Sequence, residues 1–149
     1  MQLRVKLSNS TYNPVSGKSI VTVKTKRGTY TGVAKIHPDD EEIQSKYTGL
    51  RIAEMKAVRK AYKDELKRER IILHTIKRIP KDIMHNVYHD SETEYATLQA
   101  VQKRFSFMVK YHEKNINQLK EWITSIDHSL VDNKKHLQQI KEKRKRSKK

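Results

Sequence analysis

All four glycines of this 149-residue chain, Gly17, Gly28, Gly32 and Gly49, fall in its first 49 residues, together with Pro14 and Pro38. After Gly49 the only strong breaker is Pro80. Glycine and proline are the main local interrupters of regular structure, so the sequence divides itself into a turn-bearing head and a long stretch that reads as helix.

Within the head, Leu3 to Leu7 alternates apolar and polar residues, as a half-buried strand does. Lys18 to Thr25 is β-branched and alternating, with Val21 and Val23 on one face, and Gly28 to Ile36 alternates again. Lys26-Arg27-Gly28 between them suits a type I turn closed by a left-handed glycine, which predicts a hairpin. Gly32, inside the second strand of that hairpin, predicts a bulge or the close approach of another group. His37-Pro38 stops the strand, since proline has no ladder donor. The four acids from Asp39 to Glu42 then fit the start of a helix, with Asp39 as cap and Glu42 three residues on, facing the positive end of the helix dipole. They also leave open a receptor role, such as Asp39 or Asp40 holding a ribose hydroxyl.

From Leu50 onward, Ala53, Ala57 and Ala61 recur at helical spacing and form a small-residue face able to lie close on a sheet. A second stripe, Met55, Val58, Tyr62, Leu66, Glu69, Leu73 and Ile76, predicts a seam toward another helix. Ser91-Glu92-Thr93-Glu94 has the capping-box form that opens a further helix, whose stripe runs through Leu98, Val101, Phe105 and Met108. It resumes after a four-residue stutter near His112 with Ile116, Leu119, Ile123, Ile126, Leu130 and Leu137. Asn115 and Asn133 fall near that seam. The predicted fold class is α+β: a small antiparallel sheet (a β-hairpin plus an N-terminal strand), then two long helices forming a helical hairpin or coiled coil. Residues 1–49 read as the β head with its turn, 50–79 as the first long helix packed on the sheet, 80–90 as a linker, 91–140 as a coiled-coil helix, and 141–149 as a basic disordered tail. Stripes this long predict packing on each other and on another copy of the chain, as a dimer or higher homo-oligomer.

Composition narrows the function. Hydrophobic residues are 35% and charged residues 34% of the chain, which suits narrow apolar stripes on elongated helices. No run approaches the roughly 18 apolar residues of a membrane span. The N-terminus lacks a signal layout and there are no cysteines, so a cytoplasmic protein is expected (host cytoplasm, if phage-encoded). The formal charge is +16, of which Lys141 to Lys149 supplies +6. A basic balance of this size points to anionic partners.

Chemistry-bearing motifs are sparse. There is no Walker loop, GxSxG elbow, HExxH or cysteine nucleophile, and no paired carboxylates outside the capping position, so no catalytic residue, cofactor or metal is expected. His85 and His89 with Asp90 have a helical ligand spacing, but they lie in the predicted connector. The candidate ligand residues are cationic and aromatic: Arg27, Lys35, Tyr47, Arg51, Lys56 and Arg59. A guanidinium fork suits phosphate and a tyrosine face suits a base.

The stretch GTYTGVAKIHPDDE, followed by TGLRIAEMKAVRKA, resembles a recurring kind of small phage or prophage protein: a β-hairpin, a Gly-Val-Ala return strand, a Pro-acid-acid turn and an alanine-rich helix. The strand-strand-helix order is also similar to a double-stranded RNA-binding domain. That family places a lysine cluster where this chain has Asp39 to Glu42. Among phage proteins, the chain resembles the Thoeris anti-defence sponges, which are small and oligomeric. That resemblance implies sequestration of a cyclic ADP-ribose-type signalling nucleotide, with arginines on the pyrophosphate and an aromatic on the base. It transfers no site residue. Two expectations follow. One is a non-enzymatic counter-defence protein that captures a phosphate-bearing nucleotide in an oligomer. The other is a nucleic-acid-binding coiled-coil protein, of phage DNA/RNA-binding or anti-CRISPR-like type.

Overall fold

The computed structural model describes residues 3–36, 46–86 and 92–147, with the side chains of 80–86, 92–95 and 97 left aside. Its elements are β1 (Lys6–Asn13), β2 (Lys18–Lys24), β3 (Thr29–Lys35), α1 (Lys46–Asn86) and α2 (Glu92–Ser147). The fold is α+β, with one antiparallel three-stranded sheet in the order β1-β2-β3 followed by two long helices. The acids Asp39 to Glu42 and the Ser91 cap lie outside the described residues.

Four sequence expectations are corrected. The first strand is not Leu3–Leu7 but Lys6–Asn13, mostly exposed, with a register irregularity between Leu7 and Asn9. Alternation marks strands that bury one face, and β1 is held mainly by its backbone pairing to β2. The β2–β3 turn is closed by Thr25, not by a left-handed Gly28. Thr25 N donates to Gly28 O at 2.9 Å, and the Thr25 hydroxyl accepts from Arg27 N at 3.2 Å. The left-handed glycine is Gly17, with φ +61, in the β1–β2 turn, where Asn13 Oδ1 also accepts from Val15 N and Ser16 N. Pro80 lies within α1 rather than ending it; its fixed φ is helical, and it forfeits one backbone bond. Residues 141–147 continue α2, because the preceding stripe already holds the helix and basic residues at its C-terminal end face the negative end of the dipole.

By compactness the chain forms two units, Met1–Lys63 with Glu121–Lys149, and Asp64–Lys120. In the first, the inner face of the sheet presents Val21, Val23 and Ala34 to Ala53 and Ala57 of α1, which are fully buried. Gly32 makes this possible. A Cβ there would lie 1.9 Å from the Ala53 carbonyl oxygen and 2.6 Å from the Ala57 nitrogen, so helix backbone rests on strand backbone. The β2–β3 register runs unbroken past Gly32, so the glycine marks close approach and not a bulge. On another side of α1, Tyr62 packs on Trp122 of α2 with ring centroids 5.1 Å apart. Burial raises the Tyr62 phenol above its ordinary pKa.

In the Asp64–Lys120 unit, the buried residues include Ile76 of α1 and Ile116 and Leu119 of α2. Glu69 is buried among them. Its carboxylate accepts from His112 Nδ1 at 2.6 Å and from Asn115 Nδ2 at 3.5 Å. In the first unit, Arg59 meets Asp127 and Tyr62 meets Trp122, so the α1 and α2 contacts there run in opposite senses along the chain.

Candidate functional site

The face of the sheet turned away from α1 has an unusual charge pattern. Register places Lys6 opposite Lys24 and Lys18 opposite Lys35. These lysines point outward because their strand neighbours Val23, Ser19 and Ala34 point into the core, and all four are exposed. Between the two pairs lie Asn9, Thr11, Ile20, Thr22, Thr31 and Val33. The Thr22 and Thr31 hydroxyls are 3.2 Å apart. Lys18 and Lys24 are six residues apart on β2, a separation of roughly 20 Å along the strand.

No acid relieves this face from within the strands. The first 38 residues contain seven Lys or Arg and no Asp or Glu. Like charges directly opposite each other weaken a strand pair. An anion bridging each lysine pair would therefore be stabilising as well as attracted.

The cations of α1 are used differently. β3 is an edge strand, and Lys60 Nζ donates to Thr31 O at 2.6 Å while Lys56 Nζ donates to Val33 O at 3.1 Å. These two lysines cover the open carbonyls of that edge. Arg59 forms a bidentate pair with Asp127 of α2, Nε to Oδ1 and Nη2 to Oδ2, the latter at 3.0 Å. Hydrogen bonding to Asp127 raises the Arg59 pKa. The same bonds, with the attraction of Arg59, Lys63 and His128, hold the Asp127 carboxyl below its usual range against a smaller opposing effect of burial.

The six residues named from the sequence are thus spread over the first unit. Arg27 sits in the β2–β3 turn and Lys35 at the far end of the same hairpin. Tyr47, 77% exposed, and Arg51 are four residues apart on one face of the first turns of α1. Lys56 and Arg59 are engaged by the β3 edge and by Asp127. The lysines the sequence reading passed over are Lys6 and Lys18. The signal that marks them is the absence of any acid before Asp39.

An open cleft of about 320 Å³ in the same unit is lined by Glu54, Met55, Val58, Tyr62, Trp122, Ser125 and Ile126. The charged group lining it is a carboxylate, so this cleft does not suit phosphate. Among the described residues there is no cluster of three or more potential metal ligands, and no helix is long and apolar enough to cross a membrane. The side chains of His85 and His89 lie outside the described residues. No family model matches the chain, and no curated protein or solved structure is significantly similar to it.

Proposed function

We propose that this protein binds nucleic acid, with the outer face of its sheet as a phosphate-contacting surface. The observation that carries the reading is the pair of cross-strand lysine couples, Lys6 with Lys24 and Lys18 with Lys35, on strands that contain no acid. Their separation of roughly 20 Å matches about six nucleotides along one strand of a duplex, at 3.4 Å each. Threonine and asparagine between the couples can donate to phosphate and sugar oxygens but carry little base discrimination. The helical basic end of α2, with Arg144, Lys145 and Arg146 in its last turn, adds cations in the same unit.

A second reading is capture of a phosphorylated signalling nucleotide, the job that the sponge resemblance implies. It draws on Tyr47 and Arg51, an exposed ring and guanidinium one helical turn apart.

Salt separates the two. Labelled duplex, titrated across a salt series, should bind with a log–log slope of about −0.9 for each phosphate neutralised. Replacing Lys6, Lys18, Lys24 and Lys35 by Gln should weaken binding and flatten the slope by about one per lysine that meets a phosphate. A folded quadruple variant with wild-type affinity and slope would remove the sheet from the reading. Tight binding of a mononucleotide with little salt dependence, lost in Arg51→Ala, would favour the second reading.

A further inference from the structure

The Asp64–Lys120 unit carries a second cationic surface of different character, on α2. Between residues 103 and 114, Lys103, Arg104, Lys110 and Lys114 are all exposed. The one acid in that stretch, Glu113, is held by Lys77 of α1 at 2.9 Å. At 3.6 residues per turn the four cations fall within about 120° of the helix circumference. Phe107 and Tyr111 stand in the same arc, 72% and 49% exposed.

These rings are not surplus core. The buried side of α2 in this unit is formed by Asn115, Ile116 and Leu119, with Phe105, Val109 and His112 half-buried, and it points away from the arc. Phe107 and Tyr111 are four residues apart, so they are surface neighbours with a rise of about 6 Å between them. Two exposed rings set among four cations combine the two requirements of single-strand binding: π faces for unpaired bases and positive charge for the phosphates beside them. A duplex keeps its base faces stacked inside and offers nothing to the rings. A symmetric contact with a second copy would set four cations against four, which opposes self-association through this face.

We infer that this α2 face is a binding surface for single-stranded nucleic acid, on which Phe107 and Tyr111 stack against unpaired bases while Lys103, Arg104, Lys110 and Lys114 hold the backbone. The inference rests on the nucleic-acid reading for its class of partner, but other residues in the other unit carry it.

The test uses the full chain with two labelled probes, a pyrimidine single strand and a duplex of equal length. Four proteins are compared: wild type, Phe107→Ala/Tyr111→Ala, Phe107→Tyr/Tyr111→Phe, and the quadruple sheet variant. The double variant should lose tenfold or more in affinity for the single strand, on the scale of about 1–3 kcal/mol per stacked base. It should keep its salt slope, because the cations remain, and keep wild-type duplex affinity. Phe107→Tyr/Tyr111→Phe should bind the single strand as wild type does. Unchanged single-strand affinity in the alanine double variant overturns the inference, as does a drop in oligomer mass with affinity intact, which would mean that a second copy covers the rings. If the wild type binds neither probe, the nucleic-acid reading itself fails. If it binds duplex through the sheet lysines but the rings do not matter, only the α2 surface fails.

Discussion

The carbonyl oxygen of Ala53 on α1 occupies the place a side chain at Gly32 would need, 1.9 Å from where its Cβ would stand. The obstacle is helix backbone, which cannot rotate aside. Gly32→Ala must therefore lift α1 from the sheet or bend β3. Overpacking of this kind costs about 3 kcal/mol or more. The measurement is the urea midpoint. Gly28→Ala serves as the control, because a Cβ there would meet only the Tyr30 ring, at 3.4 Å and beyond. The Gly32 variant should unfold at clearly lower denaturant and the control close to wild type.

Lys56 and Lys60 predict a solubility effect. Their ammonium groups bond the outward carbonyls of Val33 and Thr31 along the β3 edge. An uncovered edge invites strand pairing between copies. Lys56→Ala/Lys60→Ala should raise concentration-dependent self-association in sedimentation while leaving helicity near wild type. An unchanged distribution at every concentration would mean that these bonds do not guard the edge.

Much of the architecture was legible in the sequence because it follows from spacing. Ala53 and Ala57 marked the sheet-facing side of α1, Gly32 marked either a bulge or a close approach, of which the structure has the second, and His112 and Asn115 fell near the helix seam, where the structure has them. The errors arose where tertiary or hydrogen-bonding context overrides pattern. β1 escaped because it buries almost nothing, the β2–β3 turn because a threonine hydroxyl substitutes for a left-handed glycine, and the basic end because an established helix carries charged residues past their own preference. The sheet surface was obscured for a different reason: Lys6 and Lys18 acquire meaning only once the register sets them opposite Lys24 and Lys35.

The Arg59–Asp127 pair joins α1 to α2 in the first unit and should make that contact acid-sensitive. The Asp127 carboxyl is held below its ordinary value, first by the hydrogen bonds from Arg59. A depressed carboxyl stabilises the fold at pH above the unfolded-state value and loses that contribution as pH falls through the folded one. Asp127→Asn should therefore be less stable than wild type at neutral pH, by about 1 kcal/mol at most for a pair this exposed. The two proteins should converge below the carboxylate range. Urea titrations at neutral and strongly acidic pH check this, and a gap that persists in acid would assign the effect to packing.

The buried Glu69 sets the largest penalty expected from a single polar deletion. It is 5% exposed, and its carboxylate depends on His112 and Asn115 of α2. Removing the imidazole in His112→Ala leaves that carboxylate desolvated with only the longer Asn115 contact, at a cost of about 3 kcal/mol. Replacing all three residues by apolar ones of similar size removes the unpaired group as well as its partners. The triple variant Glu69→Leu/His112→Leu/Asn115→Leu should therefore recover most of the stability that His112→Ala loses. What the native network adds is alignment: an apolar seam tolerates sliding of α1 along α2, whereas Glu69 meets its two donors in one register only. Cross-linking cysteines placed at positions 77 and 113, whose native Lys77 and Glu113 side chains meet at 2.9 Å, reads that alignment. Cross-linking should be efficient with the network intact and reduced in the stable triple variant. Equal yields in both would show that the apolar residues alone hold the register.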